Sequence, residues 1–179
     1  AAILFADIVG FTAWAERHRP AEALALLREV QGLIERAVFE HGGAVDKFIG
    51  DGVMASFGTM EEGPAPAEAP LACFADILVA FEAWSATQPE ADRVALSLGL
   101  HAGPVVVGDV GSARRMERAV LGDTVNVAAR IEEMTRALGV RALVSADVVE
   151  RAATLPEGLR SLGPQQIPKR AGAVALWAL

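Results

Sequence analysis

The chain has 179 residues, 53% of them hydrophobic, which suits one well-buried core and leaves no room for several domains of ordinary size. A single cysteine, Cys73, excludes an intrachain disulfide, and His18, His41 and His101 are too dispersed for a Cys/His zinc site. A net charge of −7 without a basic cluster excludes the electrostatic footprint of a nucleic-acid polymer binder, and no uninterrupted apolar run reaches the roughly 20 residues that span a bilayer.

In chain order, the apolar run Ala1 to Val9 predicts a strand with Asp7 near its end, and Gly10-Phe11-Thr12 opens a helical pattern. Pro20 to Glu40 spaces Ala23, Leu24, Leu27, Val30, Ile34, Ala37 and Val38 as an amphipathic helix that stops at His41-Gly42-Gly43. Ala44 to Ile49 and Val53 to Phe57 read as short strands around Gly50-Asp51-Gly52, a hairpin signal that puts Asp51 at the tip. Gly58 to Pro70, rich in Gly, Pro and Glu, predicts a surface loop before a second helix over Leu71 to Ala86, interrupted as an apolar run by Asp76 and Glu82. Val94 to Ala102 and Val105 to Val110 follow as strands on either side of Gly103-Pro104.

This βαββαβ order predicts an α+β, ferredoxin-like, palm-type antiparallel sheet with its helices on one face. The remainder is expected to be a C-terminal αβαββ extension. Gly111 to Arg118 is a protruding loop or ribbon, Thr124 to Leu138 a helix ended by Gly139, and Arg141 to Val144 a strand. Ala146 to Ala153 reads as a short helix, and Leu159 to Ile167 with Ala173 to Leu179 as a closing strand pair. The whole of 1–179 is then one domain, with a start that reads as cut from a longer protein, in which a sensor or membrane anchor could precede it. The lone thiol and the absence of a basic leader favour a cytoplasmic setting without direct membrane contact from this segment.

Asp7 ends the first strand and Asp51 tips the hairpin that the split unit lays beside it, so two carboxylates converge at one end of the sheet. Carboxylate oxygens that leave room for substrate phosphates are the ligand type for Mg²⁺, and a metal pair serves in-line displacement at phosphorus. The alternative is an N-cap and a turn residue. Gly10-Phe11-Thr12 adjoins them at a helix start, where unpaired N–H groups attract phosphate, although glycine there also serves turn geometry alone. Asn126 and Arg130 lie four apart on one helix face, which suits a sugar and a phosphoryl group or, equally, an exposed polar stripe. Of the 16 basic residues 14 are arginine, so Lys47 and Lys169 invite a specific explanation, a compact ammonium meeting one acceptor or a phosphate.

Three ordered stretches resemble the class III nucleotidyl cyclases, the catalytic domains of adenylate and guanylate cyclases. They are Phe5 to Thr12 (FADIVGFT), Lys47 to Phe57 (KFIGDGVMASF) and Gly122 to Arg130 (GDTVNVAAR). The resemblance implies that Asp7 and Asp51, with the Ile8 carbonyl, bind two divalent cations, Mg²⁺ or Mn²⁺, and that Gly10, Phe11 and Thr12 contact phosphate. It assigns Lys47 to the purine, Asn126 to the ribose, Arg130 to the transition state, and Arg114 and Lys169 to the triphosphate. It further implies a bacterial-type adenylate cyclase that takes ATP to cyclic AMP and pyrophosphate as a homodimer. Each composite site would take its metal aspartates from one copy and its purine, ribose and transition-state residues from the other.

One departure stands at Ala119, seven residues before Asn126, where the family carries Asp, Thr or Ser as a partner to the purine lysine. Losing one hydrogen bond of about 0.5 to 1.5 kcal/mol relaxes selectivity by roughly tenfold without abolishing catalysis. Arg170 also replaces a usual glycine beside Lys169. The rival readings are a guanylate or relaxed-specificity cyclase and an inert cyclase-homology module for regulation or dimerisation. Lys47 argues against guanine, because guanylate cyclases carry Glu there, and the full set of aspartates, Asn126, Arg130 and both lysines argues against inertness.

Overall fold

The computed structural model describes residues 1–60, 68–112, 115–170 and 172–179. Four strands, β1 (Ala2–Val9), β2 (Ala44–Ile49), β3 (Gly52–Phe57) and β4 (Ala95–Ala102), line up as β2-β3-β1-β4, with every neighbouring pair antiparallel. Between them run α1 (Phe11–Ala15), α2 (Pro20–Glu40) and α3 (Ala69–Ala86). This is the expected split βαββαβ unit.

Alternation along β1 divides the layers. Ala2, Leu4, Ala6 and Ile8 join the main core with Val30 and Ile34 of α2 and Phe74 and Ile77 of α3. Ile3 and Phe5, on the other face, pack with Met54, Val120 and Ala128. A strand covered on both faces needs apolar residues at nearly every position, and the polar exception, Asp7, falls at the open end. Pro20 sits in the first turn of α2, where the Glu22 carboxylate accepts a hydrogen bond from the Arg19 backbone N–H at 2.8 Å. Among the described residues, α3 is the one helix long and apolar enough to cross a membrane, with a mean hydropathy of 1.4, but Leu71, Phe74, Ile77, Leu78 and Phe81 are buried in the core.

The series of strands leaves the sheet after β4. Instead of continuing it, β5 (Val106–Ser112) pairs with β6 (Arg115–Leu121) as a separate antiparallel ribbon, in register from Val106↔Leu121 to Ser112↔Arg115. Pro104 has no N–H for a ladder, and Gly103 lies so close to Thr124 that a Cβ there would stand 2.6 Å from its hydroxyl oxygen. The ribbon is thus longer than the expected Gly111 to Arg118 and absorbs the strand read at Val105 to Val110. All of β5 is exposed.

The extension is built as αβαββ, from α4 (Asp123–Leu138), β7 (Ala142–Ser145), α5 (Ala146–Val149), β8 (Arg160–Gln166) and β9 (Ala173–Ala178). It widens the sheet to seven strands, in the order β2-β3-β1-β4-β7-β9-β8, with β7 parallel to β4. The helix α5 is shorter than read, ending at Val149 rather than Ala153. The split unit's α2 and α3 share one face as expected, whereas α4 covers the opposite face. Gly99 permits this close approach, because a Cβ on it would lie 2.4 Å from the Glu132 backbone nitrogen. The helix therefore runs beside β1, from Ala128 over Ile3 to Arg136 at Asp7.

Candidate active site

Asp7 faces the α4 side of the sheet near the end of β1, with its side chain 29% exposed. The β1–β3 register stops at Ala6↔Val53, whereas β1–β4 pairing continues to Val9↔Ala95, so the backbone edge beyond Ala6 lies open toward the hairpin. That hairpin turns on Gly50 and Asp51, with Gly50 at φ 62 and Gly52 opening β3. A Cβ on Gly52 would stand 3.1 Å from the Ala6 carbonyl oxygen and 3.3 Å from Asp7 Oδ1. Glycine therefore lets the turn close against β1, and places the Asp51 carboxylate near enough for its charge to act on Asp7.

Two carboxylates in so small a space repel. Burial, the like charges of Asp51 and Glu132 and the hydrogen bond with Asp51 push the Asp7 carboxyl up to about 6, against the pull of Arg136. The donors are all hard oxygens, and Asp7 already draws a cation, since Arg136 Nη2 lies 2.6 Å from its Oδ2. The residues present therefore fit a divalent cation that takes its remaining oxygens from water and substrate phosphate. Among the described residues, no three His, Cys, Asp or Glu side chains form a closed cage.

The raised Asp7 carboxyl makes the stability of the fold fall as pH rises. Its protonated form stabilises the fold fully below about pH 4, and that contribution is lost as pH rises to about 6. Without divalent cations, Asp51→Asn is expected to raise stability at pH 7.5 by about 1 kcal/mol through loss of the like charge, and by less at pH 4. Urea unfolding at the two pH values measures the difference.

Gly10, at φ 79, caps α1 from the left-handed region, and the Phe11–Thr12 helix start, directly after β1, has no side-chain cap hydrogen bond. Lys47, 45% exposed on β2, points to the ribbon, with Nζ 4.0 Å from Glu117 Oε2. Ala119 is buried two residues along β6, opposite Gly108, and offers no acceptor. Arg130 and Lys169 come together, with Nη1 of the arginine donating to the Lys169 carbonyl oxygen at 3.4 Å. Lys169 itself takes a positive φ, 58, a left-handed conformation that a residue with a side chain adopts uncommonly. Arg114 lies outside the described residues.

The two residue sets do not meet within one chain. Arg136 marks the level of Asp7 on α4; Arg130 is six residues and Asn126 ten residues earlier, about 9 and 15 Å back along the helix at 1.5 Å per residue. Sequence reasoning missed Arg136, Glu132, Ser97 and Glu117. The available signals were the i,i+4 spacing of Glu132 and Arg136 and the same-face spacing of Glu117 and Ala119. The groove between α2 and α3, lined by Arg28, Arg36, Asp76, Val79 and Trp84, lies across the sheet from these groups.

Comparison with known proteins adds the family. A family model described as the adenylate and guanylate cyclase catalytic domain matches residues 1–164. An adenylate cyclase of Anabaena cylindrica is 36% identical over 156 residues, which cover 87% of this chain and 31% of that protein. This chain thus spans about a third of the length of that relative. The structure of a bacterial light-regulated adenylyl cyclase superposes with a TM-score of 0.84 at 28% identity, over 99% of this chain and 50% of that one. The guanylyl cyclase Cya2 superposes equally well, with a TM-score of 0.84 at 27% identity, over 99% of this chain and 89% of that one.

Proposed function

The chain belongs to the adenylate and guanylate cyclase catalytic domain family, and we propose that it works as an adenylate cyclase, converting ATP to 3′,5′-cyclic AMP and pyrophosphate. The observation that carries the reading is the juxtaposition of Asp7 and Asp51 at the end of β1, a paired carboxylate site that already attracts a cation. Asp7, Asp51 and the Ile8 carbonyl would hold two divalent cations, Mg²⁺ or Mn²⁺. Bound there, they would supply the Lewis acidity that activates the ribose 3′-hydroxyl and neutralises the triphosphate.

The chain's own groups do the positioning. The N–H groups of Gly10, Phe11 and Thr12 receive phosphate oxygens, and Lys169 and Arg114 bear on the triphosphate. Asn126 orients the ribose so that its 3′-oxygen lies in line with the α-phosphorus, and Arg130 stabilises the charge that develops there as pyrophosphate leaves. The 9 to 15 Å offset along α4 supports a composite site, with Asp7 and Asp51 from one copy and Asn126 and Arg130 from a second. The exposed Phe48, Ile49, Val106, Val110, Met116 and Leu121, on β2 and the ribbon, supply apolar surface for such a homodimer. We read 1–179 as a single catalytic domain of a longer protein, placed in a reducing cytoplasm where Cys73 stays free and buried.

Lys47 selects the base. Its ammonium donates to adenine N1, and Glu117 Oε2 beside it offers the acceptor for the 6-amino group that Ala119 lacks. The same pair favours a second reading, since guanine presents its O6 to the lysine and its N1–H to the glutamate. Turnover of ATP and GTP side by side with Mn²⁺, across a range of protein concentrations, tests both. Cyclic AMP is expected to dominate, with specific activity rising with concentration as dimers form, and Glu117→Ala to cut the ATP preference by about tenfold. Cyclic GMP as main product transfers the assignment to guanine, and no product from either nucleotide supports an inert regulatory module.

A further inference from the structure

Arg136 is the one cation that touches Asp7 among the described residues, and it touches a second carboxylate as well. Its Nη2 lies 2.6 Å from Asp7 Oδ2 and 3.5 Å from Glu132 Oε1, one turn earlier on α4. We propose that Arg136 competes with divalent cations for Asp7, and that Glu132 is the station to which its guanidinium withdraws when a cation takes its place. This rests on the reading of Asp7 and Asp51 as cation ligands.

The surroundings are built for such an exchange. One nitrogen reaches both acceptors, so a small rotation of a long side chain, with α4 itself unmoved, transfers it from one to the other. The α4 backbone is pressed onto Gly99, where no Cβ fits against Glu132, and this fixes the distance from helix to carboxylate. Glu132 is 9% exposed and accepts a hydrogen bond from Ser97 Oγ at 2.5 Å. A buried carboxylate with a single neutral donor still lacks a counter-charge, so it retains the guanidinium nearby. Ser97 Oγ also lies 3.2 Å from the Asp7 carbonyl oxygen, which ties the station to the strand that carries the ligand. Arginine suits the task because its charge is permanent and weakly hydrated, and the last helical turn favours it through the dipole. Arg136 is therefore a positioning residue. It holds the repelling carboxylates together and raises the cation concentration needed to load them.

The test is Mn²⁺ binding to the full chain without nucleotide, read from the electron paramagnetic resonance of free Mn²⁺. Arg136→Gln is expected to bind about fivefold more tightly, the fold-change for loss of a competing, partly exposed ion pair of about 1 kcal/mol. Arg136→Lys is expected to keep most of the wild-type weakness. Glu132→Gln is expected to weaken binding more in the wild-type background than in Arg136→Gln, because only the wild type loses a station. Equal or weaker binding in Arg136→Gln overturns the competition, and equal effects of Glu132→Gln in both backgrounds overturn the station. Asp51→Ala keeps the underlying reading separate. If the wild type, Arg136→Gln and Asp51→Ala all bind Mn²⁺ alike or not at all, the cation assignment itself falls, and the competition with it.

Discussion

Asp51→Ala is expected to lower ATP turnover by about a thousandfold or more while leaving the fold intact. Roughly 4 kcal/mol of transition-state stabilisation goes with a cation that loses one of its two carboxylates, and each 1.36 kcal/mol is a tenfold change in rate. The fold is spared because Asp51 sits at a hairpin tip rather than in the core, and its charge works against Asp7 in the native state. Heat and urea unfolding are thus expected to match or exceed the wild type at neutral pH. A variant that is folded and inactive supports the cation role. A folded variant with full turnover refutes it, and a destabilised one shows that the turn geometry needs the Asp51 side chain.

Mixing two inactive variants is expected to restore activity. If the metal aspartates come from one copy and Arg130 from the other, an Asp51→Ala chain and an Arg130→Ala chain together rebuild one intact site per mixed dimer. Half of the dimers in an equal mixture are mixed and each has one good site out of two, so about a quarter of wild-type activity returns. Each variant alone stays near background. The helix α4 makes this a sharp discriminator, because Arg130 lies about 9 Å back along it from the level of Asp7. A site that closed within one chain would give no recovery at any mixing ratio.

Both experiments bear on a tension within the domain. Bringing Asp7 and Asp51 together costs stability, which the fold offsets with a buried sheet and the Arg136 guanidinium. Such a conflict between local electrostatics and the compact state is the mark of a functional site rather than a structural one. The same tension explains Gly52. It has no side chain because the position lies over the Asp7 carboxylate and the Ala6 carbonyl, whereas Gly50 answers only to its positive φ.

Much of this was legible from local patterns. Alternation, helical spacing and turn residues set the βαββαβ order, the Asp51 hairpin and the αβαββ extension, because each of these signals is complete within a few residues. The motif around Asp7, the hairpin around Asp51 and the Asn126–Arg130 helix face pointed to the family for the same reason. Local pattern also misled where it had no view of neighbours. The run at Val105 to Val110 has strand character, but nothing within it tells that Pro104 and the Thr124 side chain steer it out of the sheet into a ribbon.

Sequence alone determined which residue types are present, their order on strands, turns and helices, and thereby the family. Tertiary structure alone decided their company: Asp7 with Asp51 and Arg136, Lys47 with Glu117, Glu132 beneath Ser97, and Asn126 and Arg130 displaced from the carboxylates along α4. The reason is separation along the chain. Arg136 lies 129 residues from Asp7, and pairing over that distance is set by how α4 settles on Gly99 rather than by any preference of the residues near either one.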